Sequence, residues 1–164
     1  MTFDPMRFLR GELRRSLHGP AWHGPALCEA LADVSVSEAF AKPASGAHSI
    51  AQLALHAVAW MEEVHRRLGG AEPDEPARGD WPAVGPRSGA QWDTIRALVA
   101  STGEALDQAL ADFPAAQLTE RVGSGSHNAP LGSGVPYAVM LSGVVQHNGY
   151  HAGQVVLLKK SLRA

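Results

Sequence analysis

The sequence carries a single cysteine, Cys28. One thiol excludes an intramolecular disulfide, and such sparing use fits a reducing cytoplasm. Net charge is nearly absent too: 14 lysines and arginines against 16 acids leave a formal −2, with an isoelectric point near 6.4. That balance argues against a nucleic-acid or membrane-surface protein. The basic pairs Arg66-Arg67 and Lys159-Lys160 read as short helix-end patches, the two lysines answering the helix dipole rather than a phosphate. No apolar run approaches the roughly 20 residues that a membrane span needs. The stretch Met1-Thr-Phe-Asp-Pro-Met-Arg7 lacks the form of a signal peptide. Strand patterns are limited to a short hairpin around 120–131, and there is no internal repeat. At 164 residues the expectation is one soluble cytoplasmic domain with a substantial core, and no nucleic-acid or membrane partner.

What the chain does have is helical periodicity. A first helix begins near Asp4 with Pro5 at its first position, and repeats Met6, Leu9, Leu13 and Leu17 on one face. A Gly/Pro-rich passage, Gly19 to Pro25, interrupts it. Ala26–Leu31 and a turn capped by Ser35 and Glu38 follow as short helical pieces. Ser49 with Gln52 opens a second long helix that runs to about Leu68, with Leu53, His56, Trp60 and Val64 on one face. Residues 71–87 are rich in Pro, Gly and acid and read as a surface connection. Ser88 with Gln91 starts a third helix, whose stripe of Trp92, Ile95, Val99, Thr102, Leu106 and Phe113 stops at Pro114. A polar, glycine-rich segment leads to a last helix that Pro136 begins. Four amphipathic helices with a long early connection predict an all-α four-helix bundle.

The stretch Gly143-Val-Val-Gln-His147-Asn-Gly-Tyr-His151-Ala-Gly-Gln154 stands out on the last helix. A four-residue step rotates by about 400°, so the two imidazoles project along nearly one line. Met140, Val144, His147, His151, Gln154 and Leu158 recur in the core-facing rhythm of a bundle helix. Burying polar rings costs free energy unless their nitrogens find partners. A metal ion would supply one; a hydrogen-bonded network with Gln154 is the alternative.

His56 is the best further ligand, since it lies mid-helix on an apolar face. His48 is a poorer one, because on a continuous helix its Cα would sit about 12 Å from that of His56. His65 reads as solvent-facing among Glu62, Glu63, Arg66 and Arg67, while His18, His23 and His127 fall in connections. Gln154, Tyr150, Trp60 and His48 are the candidates to support a ligand ring or to face a substrate. Tyr150 is rotated off the ligand face and favours packing, and Trp60 and Trp92 read more readily as core than as a stacking platform.

The phrases Ala21-Trp22-His23-Gly24-Pro25-Ala26-Leu27, Ala47-His48-Ser49-Ile50 through His56 to Trp60, and Gly143 through His147 and His151 to Gln154 resemble the DinB/YfiT-like superfamily. The resemblance implies a four-helix bundle, a homodimer, and a histidine triad that matches His56, His147 and His151. It also implies a metal-dependent protein, in some relatives a transferase or isomerase using bacillithiol, mycothiol or glutathione.

Three neutral imidazoles leave coordination positions open, as in catalytic rather than closed structural sites, and suit zinc, nickel or iron. Without a carboxylate ligand such a site keeps its +2 charge and favours an anion such as a thiolate. The leading expectation is therefore a metal-dependent, thiol-dependent transferase acting on a small molecule. A metal-dependent hydrolase is the runner-up, and a stress-linked scaffold is a third reading, because no carboxylate base is evident beside the histidine pair. Cys28, in an apolar helical piece, is a poor nucleophile. Because imidazole must be neutral to coordinate, metal affinity is expected to fall below about pH 6. The last helix carries Val139, Leu141, Val145, Val155, Val156 and Leu157 off its metal-facing stripe, which predicts burial on most sides and a homodimer.

Overall fold

The computed structural model describes residues 3–43, 46–126 and 129–164; His127 lies outside them. Six α-helices follow in order: α1 (Pro5–His18), α2 (Leu27–Ala32), α3 (Val36–Phe40), α4 (Ile50–Leu68), α5 (Gly89–Asp112) and α6 (Tyr137–Arg163). The four long ones form the bundle. Their starts are chemically set. The Asp4 carboxylate accepts the Met6 and Arg7 amides, and Ser49 and Gln52 satisfy each other's backbone at α4. Ser88 accepts the Gln91 amide, but the Gln91 side chain turns away and donates to the Val84 carbonyl.

Neighbours around the bundle run α1, α5, α4, α6 and back to α1. The consecutive long helices α1 and α4 are thus diagonal, and the early connection must cross the bundle end. It carries α2 and α3, with α2 packed on α6, α1 and α5. Both α4 and α5 begin beside α3: the Trp92 indole N–H donates to the Val34 carbonyl. Both end beside Tyr137, whose hydroxyl donates to Arg67 O and whose ring lies 4.9 Å from that of Phe113. Hence α4 and α5 are parallel, and the surface connection 71–87 has to return along the length of the bundle.

The expected stripes are buried. Trp92, Ile95, Val99, Thr102 and Leu106 of α5 meet Leu13 and Leu17 of α1 and the face of α4. α1 and α5 approach closely at Gly103, where an added Cβ would stand 2.4 Å from Leu17 Cδ1. Gly103→Val should lower stability by about 1–3 kcal/mol through overpacking. A chemical-denaturation midpoint would measure it, and an unchanged midpoint would show that Leu17 moves freely.

Three local expectations change. Among the described residues of 120–131 there is no hairpin. An isolated bridge joins Arg121 to Pro136, because Pro136 and left-handed glycines at 123, 132 and 134 stop the ladder after one pair. His18 closes α1 instead of lying in a connection. Arg67 is 3% exposed and Glu63 2%, so this pair is core and not a solvated helix end.

α6 buries more than one face, since Leu141, Asn148, Ala152 and Val155 are buried beside the histidine stripe. α2 covers part of this second face through Leu27, whereas Trp22 is fully exposed and covers nothing. Lys159 bonds Ala30 O and pairs with Asp33, and Arg163 pairs with Asp33 and Glu38. Lys159 therefore staples α6 to the α2 end instead of merely answering a dipole. No helix among the described residues is long and apolar enough to cross a membrane.

Candidate metal centre

His56 from α4 and His147 and His151 from the antiparallel α6 meet between the two helices. The Nε2 atoms of His56 and His151 each lie 3.0 Å from Nε2 of His147, and ligand atoms of all three are within 4.8 Å of one another. A tetrahedral ion at about 2.0–2.1 Å from each nitrogen would need separations near 3.3 Å. The two separations about His147 come within a few tenths of an ångström of that requirement.

The outer nitrogens decide which way the lone pairs point. His56 Nδ1–H donates to the Asp80 carbonyl at 2.6 Å, and the Asp80 carboxylate stands 3.3 Å from the same nitrogen. His151 Nδ1–H donates to Gln154 Oε1 at 2.7 Å. Neutral rings so bonded present bare Nε2 lone pairs to the centre. His147 has only one N–H to offer them, and its buried Nδ1 has no hydrogen-bond partner. Converging lone pairs repel unless a cation lies between them, so the donor set fits a divalent ion.

Burial pushes His147 down to about 3, with His151 and His56 adding to the effect and Asp80 opposing it. Burial likewise pushes His151 down to about 4, against the Gln154 hydrogen bond. Both are neutral ligands at neutral pH. Proton competition at these two rings therefore begins well below the pH 6 that free imidazole suggested. Burial also raises the Cys28 thiol to about 11, which keeps it protonated.

The other candidate residues divide. His48 stays outside the ligand cluster but lies flat on Trp81, ring centroids 3.4 Å apart at 3°. Trp60 lies edge-on to His56, and its indole N–H donates to Asp80 Oδ1 at 2.7 Å; half-buried, it is a site residue rather than plain core. Trp92 is core. Tyr150 is 64% exposed and edge-on to His151. His65 is exposed, as expected.

Asp80 and Trp81 escaped the sequence reading. They sit mid-way along the returning 71–87 segment, which the Glu63–Asp74 and Arg67–Asp74 bonds pin at one end and Gln91–Val84 at the other. A tryptophan inside a polar, Pro/Gly-rich stretch was the available signal, since such a ring needs a surface to cover. Trp81 covers His56, centroids 4.0 Å apart and nearly parallel at 10°. A carboxylate does stand beside the histidines, contrary to the expectation of none. Residues that hold a ligand ring from outside typically change metal affinity by 10–100-fold. Trp81→Ala should weaken metal binding by about that factor and Trp81→Phe by much less, read by chelator competition. Equal affinities would make Trp81 a mere cover.

Two cavities meet at the triad. One, of about 550 Å³, is walled by Leu53, His48, Trp81, Tyr150, Leu157 and Leu158 together with all three histidines. The other, of about 430 Å³, lies towards Trp60, Val64, Arg67, Asp80, Met140 and Val144, and shares His56 and His147. Among known proteins, no curated protein and no solved structure matches this chain. The DinB superfamily's family model matches residues 22–155, a span that holds all three histidines, His48 and the whole returning segment. The chain, with its antiparallel α4/α6 pair bringing a histidine triad together, belongs to the DinB superfamily.

Proposed function

We propose that the protein is a divalent-metal-dependent transferase that joins a low-molecular-weight thiol to an electrophilic small molecule. His56, His147 and His151 hold the metal in this reading, with zinc, nickel or iron all compatible with three imidazoles. The observation that carries it is that His56 and His147 form the shared wall of two cavities, with His151 lining the larger of the two. A reaction between two small molecules needs two entries to one reactive point, whereas hydrolysis needs one entry and water. The bound ion would supply a positive charge that keeps a thiol as thiolate, its nucleophilic form. The protein's own residues orient that point: Asp80 and Gln154 fix two ligand rings, and Leu53, Leu157 and Leu158 give the larger cavity an apolar wall.

Metal-loaded protein incubated with bacillithiol, mycothiol, glutathione or cysteine and an electrophilic acceptor should form thioether faster than free metal does. No such excess with any of the four would sink the reading. A thiol-independent rate on ester, amide or phosphoester panels would point to the hydrolase instead.

Assembly and location complete the proposal. Val139 and Leu157 remain exposed on α6, along the same helix as Tyr150, and a two-fold α6–α6 contact in a cytoplasmic homodimer would cover them. Light scattering should then return about twice the 17.3 kDa chain mass; a monomer mass at micromolar concentration would refute the pairing.

A further inference from the structure

His48 has no place among the metal ligands, yet it lines the same 550 Å³ cavity as all three of them. Its ring is held flat on Trp81, and that indole is stacked in turn on His56. Trp81 thus fixes an additional imidazole at the cavity wall beside the triad. The pinned ends of the 71–87 segment hold Trp81 itself in place.

A thiol that becomes nucleophilic inside this cavity must lose its proton to something. The ligand imidazoles cannot take it. Their Nε2 lone pairs face the ion, and the Nδ1 protons of two of them are committed to Asp80 O and Gln154. Asp80 lines the other cavity, and its carboxylate already accepts the Trp60 N–H. Tyr150 carries a phenol, a weak base at neutral pH. Imidazole is the side chain whose ordinary pKa suits a proton carrier at that pH.

We propose that His48, held by Trp81, carries the proton of the transfer reaction. This rests on the thiol-transferase reading above. The thiol S–H bond breaks and its proton goes to a ring nitrogen of His48. The sulfur electron pair forms the new C–S bond, while the bond from that carbon to its leaving group breaks and the pair departs with the leaving group. The leaving group then takes the proton from His48, so thiol and electrophile become thioether and protonated leaving group with no oxidant or reductant. The titratable groups around His48 favour passing the proton on. His56 on α4 and His147 and His151 on α6 would surround a cation that repels imidazolium. Tyr150 on α6 adds a phenol, and Asp80 on the 71–87 segment is the one acid among these groups.

The test uses cobalt(II)-loaded full-length protein with glutathione or β-mercaptoethanol, at first without electrophile. The cobalt–thiolate charge-transfer band reports loss of the thiol proton. Trp81 emission reports His48, because a stacked imidazolium quenches indole fluorescence, and Trp81→Phe identifies the Trp81 share. In the wild type, band and quenching should appear together. His48→Gln should keep cobalt and the band, lose the quenching, and transfer thiol about 100-fold more slowly or worse, with little change in KM for the thiol. Added imidazole should restore the rate of His48→Gly. Undiminished quenching in His48→Gln, or a transfer rate within about threefold of wild type, would overturn the role of His48 and leave the thiol reading standing. Loss of cobalt from His48→Gln, with no imidazole rescue of His48→Gly, would also overturn it, in favour of a packing role. Absence of a thiolate band with either thiol would overturn both the thiol reading and this proposal.

Discussion

Replacing His147 or His151 by alanine is expected to weaken metal binding by well over a hundredfold, and His56→Ala by a similar factor. The bound is set from below. Merely loosening a group that orients a ligand costs about 10–100-fold, and removing the ligand itself costs more. His48→Ala and His65→Ala should retain metal, because His48 is stacked outside the cluster and His65 is exposed. Elemental analysis of untagged protein, followed by chelator competition on each variant, makes the measurement. Equal retention by all five variants would remove the triad. The same experiment separates metal from mere packing: without a cation, loss of His56, His147 or His151 would be felt mainly in stability.

The second large effect belongs to the buried pair at the end of α4. The Glu63 side chain is 1% exposed and accepts from Arg67 Nε at 2.7 Å and Arg66 Nε at 2.8 Å, and from the Asp74 amide at 3.1 Å. Arg67, itself buried, spends its other nitrogens on the Leu131 and Asp74 carbonyls. Arg67→Ala would take from Glu63 its buried partner, leaving it Arg66 and the Asp74 amide, and would strand the Leu131 and Asp74 carbonyls, at about 1–3 kcal/mol for each group left unsatisfied. The double variant Glu63→Gln/Arg67→Met should recover part of this loss, because the buried carboxylate charge goes with its buried partner. Burial alone would raise the Glu63 pKa, but the bonds from Arg66, Arg67 and Asp74 outweigh it, and the result lies below the usual 4.5. A carboxylate whose folded pKa is depressed adds stability above its unfolded pKa and loses it as pH falls. The wild type should therefore lose stability below about pH 4.5, and Glu63→Gln should lose less over that interval. Parallel acid titrations of the two would show it; matching slopes would mean that Glu63 is not the responsible group.

Local signals in the sequence were strong where one residue answers one backbone group. Asp4 and Pro5, Ser35 with Glu38, Ser49 with Gln52 and Ser88 each mark a helix start, because an unsatisfied amide can be met from only one or two positions along the chain. The triad was legible for a related reason. Polar rings at helical spacing on an apolar stripe have few explanations, and His56, His147 and His151 do come together.

The unread part depended on partners distant in sequence. Nothing local tells that Asp74 will meet Glu63 and Arg67, so the charge-rich end of α4 looked solvated. Asn148 lies off the histidine stripe and is nevertheless fully buried, reaching Ser16 Oγ at 3.3 Å. α6 is flanked by both α1 and α4, and a single-stripe reading assumes only one neighbour. The composition of 71–87 marked a surface connection, because its prolines and glycines favour irregular backbone; the direction of α5, which makes that connection a return path past the histidines, is a property of the whole topology.

That return path has a consequence for how the protein can diversify. Two parallel neighbouring helices cannot be joined by a tight turn, so the chain between α4 and α5 must travel back along the bundle, past the histidines, to begin the next helix. The helices that carry the triad and most of the cavity walls, α4 and α6, are fixed by core packing, while Trp81 and Asp80, one in each cavity, are supplied by a segment with little core duty. Length and sequence changes between Pro76 and Pro86 would remodel cavity shape and chemistry while the bundle interior stays as it is. In this architecture the histidine triad and the aromatic and acidic residues that flank it are inherited on separate stretches of chain, and the flanking residues can drift at little cost to the bundle interior.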